Sequence, residues 1–375
     1  MICQDGITRR KAPLFVVSEV YRRPAYGRNH PLAIPRIETA VDLCRSLGWL
    51  DEGVCESPIA SLSELTRFHT SDYVSALREA DRAGFVPAEV RERYNIGTME
   101  NPVFSGVFER AMTSVGGSIF AAKLALEGRL VYHPAGGTHH AKSDRASGFC
   151  FFNDPVFAIL TLLDAGLSRV LYVDLDAHHG DGVENAFADD PRVFTISIHE
   201  AGRWPYTGAR DDRRAGYARN LPVPAAINDE EFIVLIDGAV VPLAKRFAPD
   251  AVVITCGADP LKGDPLSSMA LSNGALWCAA MRAAASAEVA VVLGGGGYNP
   301  WTVGRFWAGL WGCIAGKPIP AVLPDAARAI LKQLSCDLID DEDIDPIWLN
   351  SLIDPPNSGP VRDEIISLAY GALVP

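Results

Sequence analysis

The sequence predicts an α/β fold, a parallel sheet covered by helices on both faces, and three observations carry that expectation. Short β-branched runs alternate with longer helical patterns from about residue 14 to about residue 315. The runs are apolar almost throughout, as strands buried on both faces are, instead of alternating with polar residues. Polar residues gather directly behind those runs, where an open α/β sheet keeps its ligand crevice.

In chain order the strand candidates are LFVV (14–17), RLVYH (129–133), RVLYVDLD (169–176), VFTISIH (193–199), AVVIT (251–255) and AVVL (290–293). Helical patterns lie at 103–127, 154–166, 229–247, 271–287 and 302–315. At about 150 residues per domain, 375 residues admit two or three domains or one large α/β domain. With no internal repeat and no Pro/Gly/Ser linker, a single domain over 1–375 is expected, its motif-bearing core at about 30–315 and a C-terminal extension at about 316–375. The acidic cluster Asp337, Asp340, Asp341, Glu342, Asp343 and Asp345 in that extension reads as a solvated face.

Composition narrows the function. A chain 48% hydrophobic and 21% charged is globular, and a net charge of −12 argues against a nucleic-acid groove while leaning toward cationic or neutral ligands. No apolar stretch reaches the roughly 18 residues of a membrane span, and Glu19 interrupts the N-terminal apolar run before it resembles a secretory signal, so a cytoplasmic protein without a membrane partner is expected. The 8 cysteines form no CxxC pair and read as buried small hydrophobes.

Four polar clusters follow apolar runs: PAGGTHHAK with His139 and His140; DLDAHHGDG with Asp174, Asp176, His178 and Asp181; CGADPLKGDP with Asp259 and Asp264; and GGGGYN with Tyr298. In the parallel-sheet arrangement they converge on one mouth. On an extended strand, Asp174, Asp176 and His178 fall at i, i+2 and i+4 on one face. Buried carboxylates require something positive opposite them, and a divalent cation meets that need. A lone DxD is more often a strand end that has reached water; His178 and Asp259 tip the balance toward metal. Two carboxylates and one imidazole with a fourth position open are the layout of a catalytic site, and N/O ligands leave zinc and iron(II) both open. One of the paired histidines can shuttle a proton, with Asp174 and Asp181 available to orient the imidazoles. GGGGYN lacks the GK[ST] of a phosphate loop, so Tyr298 is read either as an oxyanion donor or as a pocket-wall aromatic. Phe149 and Trp204 prove nothing as isolated aromatics.

PAGGTHHAKSDRASGFCFFND, YVDLDAHHGDGVENAF, CGADPLKGDPLSSM and LGGGGYN, in that order, together with LTRFHTSDYV at 65–74, resemble the zinc-dependent histone deacetylase family, which includes acetoin-utilisation proteins and acetylpolyamine amidohydrolases. The likeness runs from about His30 to about Leu310, and Thr138 makes it closer to class II or bacterial members. The resemblance implies a single arginase/deacetylase-like α/β domain. It implies Asp176, His178 and Asp259 as ligands of Zn2+ (or Fe2+). His139 and His140 would be the tandem histidines paired with Asp174 and Asp181, His140 being general base and then general acid, and Tyr298 would polarise the acyl carbonyl. Phe149, Trp204, Gly148, Leu266 and Glu100 would form the substrate tunnel and rim, and Arg36 would serve an internal acetate channel. A structural K+ or Na+ would sit on Asp174, Asp176, His178, Ser197 and Ile198.

The implied activity is removal of acetyl or acyl groups from small-molecule or peptidyl N-acetylated amines, such as acetyl-lysine or acetylpolyamines. The competing reading is a catalytically inactive acyl-lysine or small-ligand binding module on the same fold; a binuclear ureohydrolase would need further bridging ligands that His179 and Asp264 do not obviously supply. Acetylpolyamine enzymes of the family narrow the tunnel by dimerising, and the resemblance makes residues 20–30 or 80–100 the segments that would do so in a homo-oligomer here. Two departures stand out: HEAGRWPYTG (199–208) is shorter than the usual family segment, with Trp204 in place of a phenylalanine, and Arg219 falls where a second monovalent-cation site is usually built.

Overall fold

The computed structural model describes residues 10–374. Among the described residues eight strands make one sheet in the order β2-β1-β3-β8-β7-β4-β5-β6: β1 Lys11–Val17, β2 Val54–Glu56, β3 Arg129–His133, β4 Val170–Asp174, β5 Val193–Glu200, β6 Ala218–Val223, β7 Ala251–Thr255 and β8 Val289–Leu293. Every pairing is parallel. The central strands β4 and β7 are buried along their whole length, which is why their sequences carry no polar alternation.

The six anticipated strands are all present, and the two that the sequence reading missed lie at the edges. β2, VCE, is three residues long and half-exposed, and β6 contains Arg219, Asn220 and Pro222, a composition that only an edge strand accommodates. The run 169–176 extends less far than expected. β4 ends at Asp174, so Asp176 and His178 sit in the loop beyond it and strand alternation does not place the three on one face.

Helices cover both faces. On one, Val107–Ala125 and Asp154–Asp164 bury Ala121, Ala122, Ile159 and Leu162 against β-sheet valines. On the other, Pro300–Ile314 is almost wholly buried, and its three tryptophans satisfy their indole N–H groups internally: Trp301 donates to the Leu331 carbonyl at 3.0 Å, Trp307 to Cys256 at 3.2 Å and Trp311 to Trp49 at 3.0 Å. The expected helix 229–247 is continuous but relaxes into a π turn at Ile236–Val240, just ahead of Pro242, which has no N–H to continue the α ladder.

The extension beyond residue 315 packs onto the same body. Leu331, Leu352 and Ile365 are buried, and Arg305 donates from the core to the Ser351 carbonyl and the Asp354 carboxylate. The acidic cluster at 337–345 is exposed, as its composition suggests. Among the described cysteines Cys44, Cys150 and Cys256 are buried, whereas Cys55, Cys278, Cys313 and Cys336 are partly exposed, so burial is not general; none is in a disulfide, and Cys3 lies outside the described residues. Among the described residues no helix is long and apolar enough to cross a membrane.

Gly309 lets Pro300–Ile314 approach its neighbour closely, since a Cβ there would lie 2.0 Å from the Trp277 ring. Gly309→Ala should therefore destabilise the protein by about 1–3 kcal/mol despite the better helix propensity of alanine, measurable as a lowered denaturant midpoint.

Candidate active site

The four polar clusters follow β3, β8, β7 and β4, which are consecutive neighbours at the centre of the sheet. Parallel pairing puts all four carboxyl ends at one edge, so residues separated by more than a hundred positions meet there.

Asp176, His178 and Asp259 bring their donor atoms within 4.8 Å of one another. The His178 Nδ1 stands 2.8 Å from an Asp259 oxygen and 3.1 Å from an Asp176 oxygen. Backbone N–H groups fix the carboxylates: His178 donates to Asp176 at 2.9 Å, Ala177 to Asp259 at 3.0 Å and Gly296 to Asp176 at 2.6 Å. Glycine is required around them, because a Cβ at Gly257 would lie 2.1 Å from an Asp176 oxygen and one at Gly296 2.2 Å from an Asp259 oxygen. Burial and the charge of Asp176 push the Asp259 carboxyl up to about 6, while His139 and His178 overcome burial and hold Asp176 well below the usual range. Two fully buried carboxylates and an imidazole nitrogen, converging in a glycine-lined cradle, fit a divalent cation.

His139 and His140 are each tied to a carboxylate through Nδ1, His139 to Asp174 at 2.7 Å and His140 to Asp181 at 2.8 Å. Their rings are 3.9 Å apart. The two environments differ. Burial opposes charge on both, but Asp174 and Asp176 raise His139 to about 9, whereas burial and the neighbouring His139 lower His140 to about 3. Three supporting residues were not singled out from sequence: Tyr172, whose hydroxyl donates to Asp174 at 2.7 Å, Lys142, whose ammonium pairs with Asp181, and Asn153, whose amide donates to the His139 and Ala141 carbonyls at 3.1 and 2.9 Å. Tyr172 precedes Asp174 by two on the same strand, a spacing that offered the signal; nothing local marked the other two.

Tyr298 is delivered by the glycine run after β8, and its backbone N–H donates to Asp264 at 2.7 Å. Burial, Asp259 and Asp176 keep its phenol protonated. The mouth, about 470 Å³, is lined by Tyr298, His140, His178, Gly148, Phe149, Trp204, Leu266 and Glu100 among others. Phe149 stands 5.8 Å from the Tyr298 ring and Trp204 4.6 Å from His140. Gly148 and Phe149 both have positive φ, 57° and 65°, and the Gly148 N–H is held by Glu100 at 2.7 Å. The other Glu100 oxygen accepts from Asn95 at 2.8 Å, so much of this rim carboxylate is engaged within the protein.

Arg36 lies on the inner side, donating to the Gly295 carbonyl at 2.9 Å with its guanidinium 5.2 Å from the Trp307 ring centre. It lines both the site and a cavity of about 80 Å³ behind it. Ser197 pairs in register with Asp174, its hydroxyl 2.9 Å from the His199 Nδ1, and Ile198 is buried beside it. Arg219 points away, to the carbonyls of Ala372, Gly216 and Ala218. His179 and Asp264 do not join the Asp–His–Asp group: His179 bonds Thr207 and Glu184, and Asp264 accepts from the Tyr298 and Leu266 amides.

A histone deacetylase domain matches residues 30–314. The acetoin utilization protein AcuC of Bacillus subtilis is 36% identical over 326 residues, 82% of this chain and 84% of its own length. Human histone deacetylase 1 is 37% identical over 86% of this chain and 68% of its own. The crystal structure of a histone deacetylase homolog from Aquifex aeolicus superposes with a TM-score of 0.92 at 35% identity, covering 97% of this chain and all of that one. Fold and relatives together define a hydrolase of amide bonds. The chain belongs to the histone deacetylase family, whose activity is acetyl-group removal from acetylated substrates.

A Cβ at Gly148 would come 2.4 Å from the Trp204 ring and 2.5 Å from His140. Gly148→Ala should displace both and cost on the order of 100-fold in kcat/KM, with secondary structure by circular dichroism unchanged.

Proposed function

We propose that the protein is a metal-dependent amidohydrolase releasing acetate from N-acetylated amines, acetyl-lysine or acetylpolyamines, with zinc in the site and iron(II) as the alternative metal. The observation that supports it most is the meeting of Asp176, His178 and Asp259 with two His–Asp pairs and Tyr298 at one mouth. A binding module would need the tunnel but not this set of proton-transfer groups.

Asp176, His178 and Asp259 would hold the metal, which when bound supplies Lewis acidity toward the acyl carbonyl and eases deprotonation of water. His140, oriented by Asp181, takes the proton of the attacking water and passes it to the departing amine. His139, oriented by Asp174, stands beside His140 as the second imidazole next to the reacting atoms. Tyr298, held as a phenol, donates to the oxygen on which negative charge develops. Phe149, Trp204 and Gly148 wall the amine's stem, Leu266 and Glu100 edge the mouth, and Arg36 faces the inner cavity through which the carboxylate product leaves. A K+ or Na+ at Asp174, Asp176, His178, Ser197 and Ile198 would brace the strand ends beneath.

Tyr298→Phe should lower kcat by about 100- to 1000-fold, the usual cost of one oxyanion donor, with metal content by elemental analysis unchanged. Wild-type rates in that variant would remove the role. Asp176→Ala should lose both bound metal and turnover. Acetylputrescine, acetylspermidine and an acetyl-lysine peptide, assayed side by side with and without a chelator, decide the amine; no chelator-sensitive hydrolysis of any of them overturns the reading.

A further inference from the structure

The short segment that follows β5 and carries Trp204 has no regular structure between Ala201 and Gly208, yet it is tied at both ends. At its start, Glu200 is only 6% exposed and accepts four hydrogen bonds: Arg203 Nε at 2.5 Å, Arg203 Nη2 at 2.9 Å, the Ser268 N–H at 2.8 Å and the Ser267 hydroxyl at 3.2 Å. Arg203 Nη2 also reaches the Ser268 hydroxyl at 2.9 Å, so the segment is pinned to the loop that carries Leu266. At its end, Thr207 bonds the His179 Nδ1 at 2.8 Å and the Gly208 carbonyl accepts from His199 at 3.0 Å. Between these anchors Trp204 stands edge-on to His140, 4.6 Å between ring centres.

A bidentate arginine–carboxylate pair fixes orientation as well as distance, which a single ammonium does not. Without it, an irregular loop would spend the ordering entropy of Trp204 on each binding event. We propose that Glu200 and Arg203, which themselves line the mouth, are positioning residues that hold Trp204 as one wall of the tunnel, so that this ion pair sets affinity for the acylated amine without taking part in the chemistry. The proposal rests on reading Trp204 as a tunnel wall in the hydrolase described above.

The test is a double-mutant cycle with Arg203→Ala and Trp204→Ala, assayed on an acetyl-lysine peptide, alongside hydrogen exchange. Arg203→Ala should raise KM about tenfold, the order of one lost aromatic contact, with kcat within about twofold of wild type. Trp204→Ala should do the same, and the double variant should be no worse than Trp204→Ala alone, because Arg203 acts through Trp204. Arg203→Lys keeps the charge but loses the fork, and should show an intermediate KM; it also serves if Arg203→Ala does not fold. Amide exchange over 201–206 should accelerate in the arginine variants while bound metal is retained. Additive effects in the cycle, an unchanged KM, or unchanged exchange overturn the clamp. Accelerated exchange in a protein that hydrolyses none of the acetylated amines leaves the clamp standing and removes the hydrolase reading instead.

Discussion

Two carboxylates buried side by side, Asp176 and Asp259, impose the constraint around which the rest of the centre is arranged. Neither can be charged there without compensation, and the protein supplies it in layers. His178 lies between them, backbone N–H groups of Ala177, His178 and Gly296 point at their oxygens, and glycines at 257 and 296 clear the space that any side chain would fill. The same need for positive charge makes the position suited to a divalent ion, whose ligands would be the residues already crowded together.

The tandem histidines show how one motif yields two different groups. Both imidazoles are buried and both bind a carboxylate through Nδ1, but His139 faces Asp174 and Asp176 together, while His140 faces Asp181, already shared with Lys142, and the neighbouring His139. The surroundings raise the pKa of His139 and lower that of His140. That difference follows from environment and not from residue type.

How far the site could be read before the fold was known varied with its distance from a strand end. His139, His140, Asp259 and Tyr298 follow runs so apolar that their position at a sheet edge is a direct consequence of burial. Asp176 and His178 were placed correctly in the same region for a reason that fails, since β4 stops at Asp174 and backbone hydrogen bonds, not pleat alternation, turn them inward. Lys142 and Asn153 carried no local signal, because their partners are chosen only when separate loops are packed together. The edge strands β2 and β6 were invisible for different reasons: β2 is short and largely exposed, so it needs no apolar run, whereas β6 is buried but interrupts its apolar residues with Arg219, Asn220 and a proline that an edge strand tolerates.

By itself the sequence determined the fold class and the chemical inventory of the centre. Strands buried on both faces must be apolar throughout, and side chains costly to bury survive in such surroundings only where something uses them. The tertiary structure alone decided how Lys142 and Asn153 support the His–Asp pairs, how Glu100 and Glu200 are engaged within the protein, and how Trp204 comes to face His140. Those outcomes depend on distances of a few ångströms between segments far apart in the chain, and periodicity along one strand or helix contains no record of them.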